Sequence, residues 1–173
     1  MTVICIDGNI GAGKSTVLKK LSELGFKTEP EKIHMWPLKL FYENPERWAF
    51  PLHLAILNSM KNPTEETVYE RCPVSTKDVF WSIDPRNPHE DEIFQEYFKT
   101  VGWKPDIHIY LSVPPEKCFE NIKKRVQVGD EFVTLEYIKR LDEAYSKINF
   151  TYVVDGTQDP DTVANTIKHL IST

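Results

Sequence analysis

Residues 8–15 read Gly8-Asn9-Ile10-Gly11-Ala12-Gly13-Lys14-Ser15, an instance of G-x-x-x-x-G-K-[ST]. The flanks turn this string into a constraint on the fold. Before it, Val3-Ile4-Cys5-Ile6 is a continuous apolar run, as a strand buried on both faces requires. After it, Val17, Leu18, Leu21 and Leu24 recur at helical spacing until Gly25 offers a stop. A strand, a small-residue loop and a helix in that order gather backbone N–H groups around an anion. The positive end of the helix points at the same anion. Gly8 to Ser15, with Thr16, are therefore the expected triphosphate cradle. Lys14 would reach the β- and γ-phosphates, and the Ser15 hydroxyl would hold Mg²⁺.

The rest of the chain repeats the strand–helix alternation. Thr67-Val68-Tyr69, Ile107 to Val113 and Tyr152-Val153-Val154 read as buried strands, and a short extended piece ends at Glu29-Pro30. Apolar stripes at helical spacing run through Ile93–Val101, Cys118–Val126, Leu135–Ile148 and Val163–Leu170. Segment 38–61 reads as helical, limited or kinked by Pro45 and Pro51. Alternation of this kind predicts an α/β fold with a five-stranded parallel sheet and helices on both faces. With no linker or repeat, residues 1–173 read as one domain. A net charge of −5 argues against a nucleic-acid partner. No apolar run approaches the roughly 20 residues of a membrane span, and the first 13 residues lack the basic start of a targeting peptide. Cys5, Cys72 and Cys118 stand far apart, with no CxxC pair, so neither a zinc site nor a disulfide framework is expected. Three reduced thiols suit a cytoplasmic location.

A phosphate cradle does not by itself specify a reaction. A GTPase would show N-K-x-D and D-x-x-G, and neither occurs. An ATPase would place an acid after an apolar strand. Asp155 fits that place, although a turn at Asp155-Gly156 is the favoured reading, since Asp-Gly is a strong turn pair. A kinase needs a carboxylate to deprotonate an acceptor hydroxyl, cations for the moving phosphoryl group, and an acceptor pocket. Glu29 and Glu70 both end expected strands, where ligands bind in open α/β sheets, and Arg71 follows directly. Lys123-Lys124-Arg125, followed by Gly129-Asp130-Glu131, has the composition of a short lid over about 123–131. There Arg125 would reach the phosphates while the two lysines remain solvated.

Taken together these residues resemble the deoxyribonucleoside kinase family, which includes deoxycytidine kinase and mitochondrial thymidine kinase. The resemblance runs through Ile6–Thr16, Glu29-Pro30, Phe41–Phe50, Glu70-Arg71, Ile109-Tyr110-Leu111 with Pro115-Glu116, and Leu135-Glu136-Tyr137, in the family's order. Its most specific part is the Tyr-x-x-Pro-x-x-Trp string from Tyr42 to Trp48. It implies a P-loop kinase fold and ATP-dependent phosphorylation of a deoxynucleoside 5′-hydroxyl, with Mg²⁺. It also implies a homodimer. By the same resemblance Glu29 would be the base, beside Arg71 and Lys14, and Glu70 would join Ser15 around Mg²⁺. Tyr42 and Glu131 would bind the 3′-hydroxyl, Phe80 would stack on the base, Arg125 would be the lid arginine, and Asp155 would lie near adenine. Trp36 would line the pocket, yet it stands two residues farther from Glu29 than the family spacing.

The base pocket departs from the family pattern. His53 stands where a Gln is common, and Met60 and Thr76 stand where deoxycytidine- and purine-preferring members carry Arg and Asp. That leans the expectation toward thymidine and related pyrimidines. The alternatives left open are a nucleoside monophosphate kinase resembling thymidylate kinase and a P-loop nucleotide-binding protein that is not a kinase.

Overall fold

A computed structural model describes residues 2–173. The strands are β1 (Ile4–Asp7), β2 (Lys27–Glu29), β3 (Thr67–Glu70), β4 (Ile107–Ser112) and β5 (Tyr152–Asp155). They form one sheet in the order β2-β3-β1-β4-β5, and every pairing is parallel. The helices are α1 (Lys14–Glu23), α2 (Leu38–Glu43), α3 (Pro45–Met60), α4 (Pro73–Ser75), α5 (Trp81–Ile83), α6 (Pro88–Val101), α7 (Pro115–Lys124), α8 (Leu135–Tyr145) and α9 (Pro160–Ile171). A single π-type turn over Thr76–Phe80 joins α4 to α5.

β1 occupies the centre, and all four of its residues are buried, on both faces of the sheet. Ile4 and Ile6 point to one side and pack with Val17, Leu18 and Leu21 of α1 and with Val163, Ala164 and Ile167 of α9. Full burial of each Leu or Ile in that layer contributes about 1.5–3 kcal/mol. Cys5 and Asp7 point to the opposite side and are also fully buried. From β1 the chain first crosses to β2 and β3 on one side and later to β4 and β5 on the other. The loop after β1 therefore sits at the switch point, where α/β sheets bind their ligands.

Helix starts follow local chemistry. Pro45 opens α3, and the Asn44 side chain caps it by accepting from the Arg47 N–H at 3.3 Å. Pro51 lies inside the same helix. Asn87 and Glu90 form a reciprocal capping box on α6, and Thr134 caps α8 as its position in the sequence suggests. The sequence reading missed the three-part helical segment 73–83, whose short pieces are below any periodicity test, and the 3₁₀ turns Ile33–Met35 and Asp130–Phe132.

Candidate active site

The loop after β1 wraps tightly. Gly11 has φ +78°, and a Cβ there would lie 2.4 Å from the Cys118 carbonyl oxygen, so no larger residue fits. Lys14 is buried and folds back to donate from Nζ to the Asn9 carbonyl at 2.7 Å. Burial, with repulsion from Arg71, brings its pKa down to about 8. At the start of α1 the Ser15 hydroxyl donates to Glu70 Oε1 at 2.9 Å. Glu70 ends β3 and is buried, so two hard oxygen ligands meet beside the anion loop, a donor set that suits Mg²⁺.

Arg71 leaves β3 through a left-handed backbone, φ +62°. A non-glycine residue held there stores roughly 1–3 kcal/mol of strain, which persists only when its surroundings fix it. Its N–H donates to the Ile6 carbonyl at 2.9 Å. Its guanidinium donates to Glu31 Oε1 at 2.8 Å, to the Gly8 carbonyl at 3.2 Å and to the Tyr145 hydroxyl at 3.3 Å, and lies 4.6 Å over the Phe80 ring. Asp7 lies 3.8 Å from its Nε. The Glu31 side chain is only 7% exposed. Burial raises its pKa above the ordinary glutamate value, against the opposing pull of Arg71.

Glu31 and Arg71 open onto a cavity of about 450 Å³ that begins at the anion loop. Of the residues expected at a site, Ile10, Gly11, Gly13, Lys14, Ser15 and Thr16 line the phosphate end. Trp36, Tyr42, His53, Met60, Arg71, Thr76, Phe80 and Arg125 also line the cavity, beside Glu70. The wall opposite the loop is a buried polar chain. His53 Nε2 meets Asp84 Oδ2 at 2.6 Å, and the Tyr137 hydroxyl donates to Asp84 Oδ1 at 2.8 Å. His53 Nδ1 is buried and has no hydrogen-bond partner. Beside it the Thr76 hydroxyl contacts Met60 Sδ at 3.8 Å. The Trp36 indole donates to the Ser59 hydroxyl at 2.9 Å, which fixes its ring.

The lid follows α7. Arg125 donates to both carboxylate oxygens of Asp130, at 2.8 and 3.1 Å, a bidentate pair that sets its direction. Gly129, at φ +91°, lies against Tyr42, and a Cβ there would come within 2.5 Å of the ring. Phe132 stacks on the other side of the contact, 6.0 Å from the Tyr42 ring at an interplanar angle of 7°. Lys123 and Lys124 are exposed, as solvated lysines at a helix end should be.

Six expected site residues do not line the cavity, three acids and three members of the anion loop. Glu29 closes the edge strand β2 with a side chain 41% exposed, where it pairs with Lys32 at 3.3 Å. An edge position offers water instead of a buried cation, so Glu29 has nothing to draw it inward. Glu31, two residues on, has Arg71 and takes the inward place. The signal was in the sequence: counting from Glu31, the two-residue excess in the spacing to Trp36 disappears. Glu131 is exposed, and its neighbour Asp130 faces the cavity, because the 3₁₀ turn after Gly129 rotates one carboxylate in and the next out. Asp155 accepts from the Thr157 N–H at 2.9 Å and the Thr157 hydroxyl at 2.6 Å, closing the turn after β5. Gly8, Asn9 and Ala12 sit behind the cavity surface. Asn9 is 1% exposed and ties the loop to α8 by donating to the Ile138 carbonyl at 2.9 Å. Besides Glu31 and Asp130, sequence reasoning missed Asp84 and Tyr137. Asp84 meets His53 from 31 residues away along the chain and Tyr137 meets Asp84 from 53, beyond any local pattern.

Known proteins resemble this chain in sequence and in fold. A family model for deoxynucleoside kinases matches residues 4–168. A provisionally named kinase protein, 029R, of Invertebrate iridescent virus 3 is 31% identical, with 98% of this chain and 96% of that protein covered. A deoxyadenosine kinase of Dictyostelium discoideum is 28% identical over 96% of this chain and 78% of that protein. The solved deoxyadenosine kinase of M. mycoides with bound dATP superposes with a TM-score of 0.83 over 100% of both chains at 22% identity, a likeness of fold. The loop, the paired Glu31 and Arg71 and a match over nearly the whole length converge on one assignment: the chain belongs to the deoxynucleoside kinase family and is an ATP-dependent phosphotransferase acting on deoxynucleosides.

Proposed function

We propose that Glu31 is the general base that takes the proton of a deoxyribose 5′-hydroxyl, with Arg71 beside it on the transferring phosphoryl group. The supporting observation is the Glu31–Arg71 pair at 2.8 Å, buried at the end of the cavity next to the anion loop. Arg71 orients the carboxylate and then faces the charge that develops during transfer. Lys14, now folded onto Asn9, turns to the β- and γ-phosphates, whose charge further favours its protonated form. Ser15 and Glu70 would hold Mg²⁺, which would supply charge neutralisation for the phosphates. Arg125 covers the phosphates from the lid, aimed by Asp130. Tyr42 offers its hydroxyl to the sugar, with a pKa pushed up to about 12 by burial and by Asp84. With little covalent work to do, the protein's contribution is positioning and charge.

Phe80 and Trp36 are the flat surfaces for the base. Met60 and Thr76 leave no Arg–Asp pair for a cytosine or adenine edge, so the reading favours thymidine-type pyrimidines. The acids Glu31, Asp84 and Asp130 line the acceptor part, which suits an uncharged nucleoside and opposes a monophosphate. Cytoplasmic residence and a homodimer complete the proposal. Among the described residues no helix is long and apolar enough to cross a membrane. The test is initial phosphorylation rates with Mg-ATP for the four deoxynucleosides and for thymidine monophosphate. Thymidine is expected to give the highest kcat/KM and the monophosphate essentially none. A purine deoxynucleoside in first place overturns the base assignment, and a preferred monophosphate overturns the acceptor assignment.

A further inference from the structure

Beneath the anion loop, on the side of the sheet away from α1 and α9, four side chains converge that the phosphoryl-transfer reading does not use as ligands. Cys5 and Asp7 point to that side from β1. His108 is the β4 residue paired in register with Cys5, and Cys72 arrives just after the left-handed turn at Arg71. All four are buried. The two sulfurs, one Asp7 oxygen and one His108 nitrogen all lie within 4.8 Å of one another. His108 Nε2 is 3.1 Å from Asp7 Oδ2 and 3.7 Å from Cys72 Sγ.

We propose that Cys5, Asp7, Cys72 and His108 form a structural binding site for a borderline-soft divalent cation of the zinc type, distinct from the Mg²⁺ position at Ser15 and Glu70.

The donor chemistry is specific. Two thiolates, one imidazole and one carboxylate suit zinc and disfavour magnesium or calcium. A tetrahedral ion with bonds of about 2.0–2.3 Å sets its donors about 3.3–3.8 Å apart, close to the 3.1 and 3.7 Å separations of His108 from Asp7 and Cys72. A contraction of about 1 Å brings the widest pair into that range. The carboxylate is already oriented as a ligand would be. Asp7 Oδ1 accepts from the Tyr145 hydroxyl at 2.7 Å and from the Gly8 N–H at 3.0 Å, leaving Oδ2 for the cluster. Outer hydrogen bonds of this sort fix metal ligands in place. Two thiolates and a carboxylate carry three negative charges; the cation removes two, and the Arg71 guanidinium, 3.8 Å from Asp7 and shared with Glu31, offsets part of the third. The ion would tie β1 to the amino end of β4 and to the segment that follows β3. The sequence hid this site because its ligands come from two strands and the segment after a third, spread over residues 5 to 108 with no paired spacing.

The test uses the full chain, reduced, loaded with Zn²⁺ and dialysed against metal-free buffer. One zinc per chain is expected by atomic emission. Replacement by Co²⁺ should give intense thiolate-to-cobalt absorption in the near ultraviolet with tetrahedral bands in the visible. A strong chelator should lower the melting temperature of the wild type, whereas Cys72→Ser, a near-isosteric change, should lose the bound zinc and the chelator response together. Should Cys72→Ser not fold, the zinc content and cobalt spectrum of the wild type decide alone. Wild-type protein that keeps no zinc, a cobalt spectrum without thiolate absorption, or a Cys5–Cys72 disulfide on peptide mapping overturns the site. None of these readouts depends on kinase activity, so failure here leaves the roles of Glu31 and Arg71 standing.

Discussion

Glu31→Gln lowers turnover by about 10²–10⁴-fold, the span that a positioned general base supplies, while Glu29→Gln keeps a rate close to wild type. The two substitutions make the same chemical change two residues apart, so only the position differs. Glutamine retains a carbonyl that can accept from Arg71, and the fold should survive. Circular dichroism and the melting curve check that, and steady-state kinetics checks the rate. The pH profile adds a second signature. Glu31 works as a base only when ionised, and its pKa lies above the ordinary glutamate range because it is buried. As pH falls through that raised value the carboxylate is protonated, so kcat/KM should drop on an acid limb displaced upward from that of an exposed glutamate. In Glu31→Gln the limb should vanish with the rate. A Glu29→Gln enzyme as damaged as Glu31→Gln would overturn the assignment.

Arg71→Met has the second large effect, on stability as well as rate. The guanidinium satisfies Glu31, the Gly8 carbonyl and the Tyr145 hydroxyl and lies near Asp7. Its removal leaves buried carboxylates without their cation, a change that typically costs about 3–5 kcal/mol. For a chain of this length that corresponds to a fall in Tm of roughly 10 °C. Turnover should fall by about 10² or more, since the fixed charge facing the transferring group is lost. Arg71→Lys separates the two effects. A point charge can offset the carboxylates but cannot reach three acceptors at once. Stability should therefore recover more than rate. Calorimetry and initial rates on the three proteins read this directly, and an Arg71→Met protein that melts and turns over like wild type would refute the role.

The sheet was legible because β1, β3, β4 and β5 are short apolar runs and the polar edge strand β2 is marked only by the Glu29-Pro30 that ends it, and the cradle was legible because it is local in sequence. What escaped is non-local. Whether Glu29 or Glu31 turns inward depends on which of them meets Arg71, forty residues further along the chain. The His53–Asp84–Tyr137 chain exists only after α3, α5 and α8 have met. Glu131 and Asp130 differ by one residue on a 3₁₀ turn, and no propensity separates adjacent acids in such a turn. The buried Cys5–Asp7–Cys72–His108 cluster needs three strands in register before its donors are neighbours.

The contact between Gly129, Phe132 and Tyr42 joins the donor side to the acceptor side through a single ring. If Tyr42 holds the sugar and Arg125 the triphosphate, as proposed, a nucleoside that immobilises this tyrosine would also order Gly129 and Asp130 and, through them, that arginine. Ordering already met by the first ligand would be spared the second, so each would tighten the affinity of its companion by the same factor, as thermodynamic reciprocity demands.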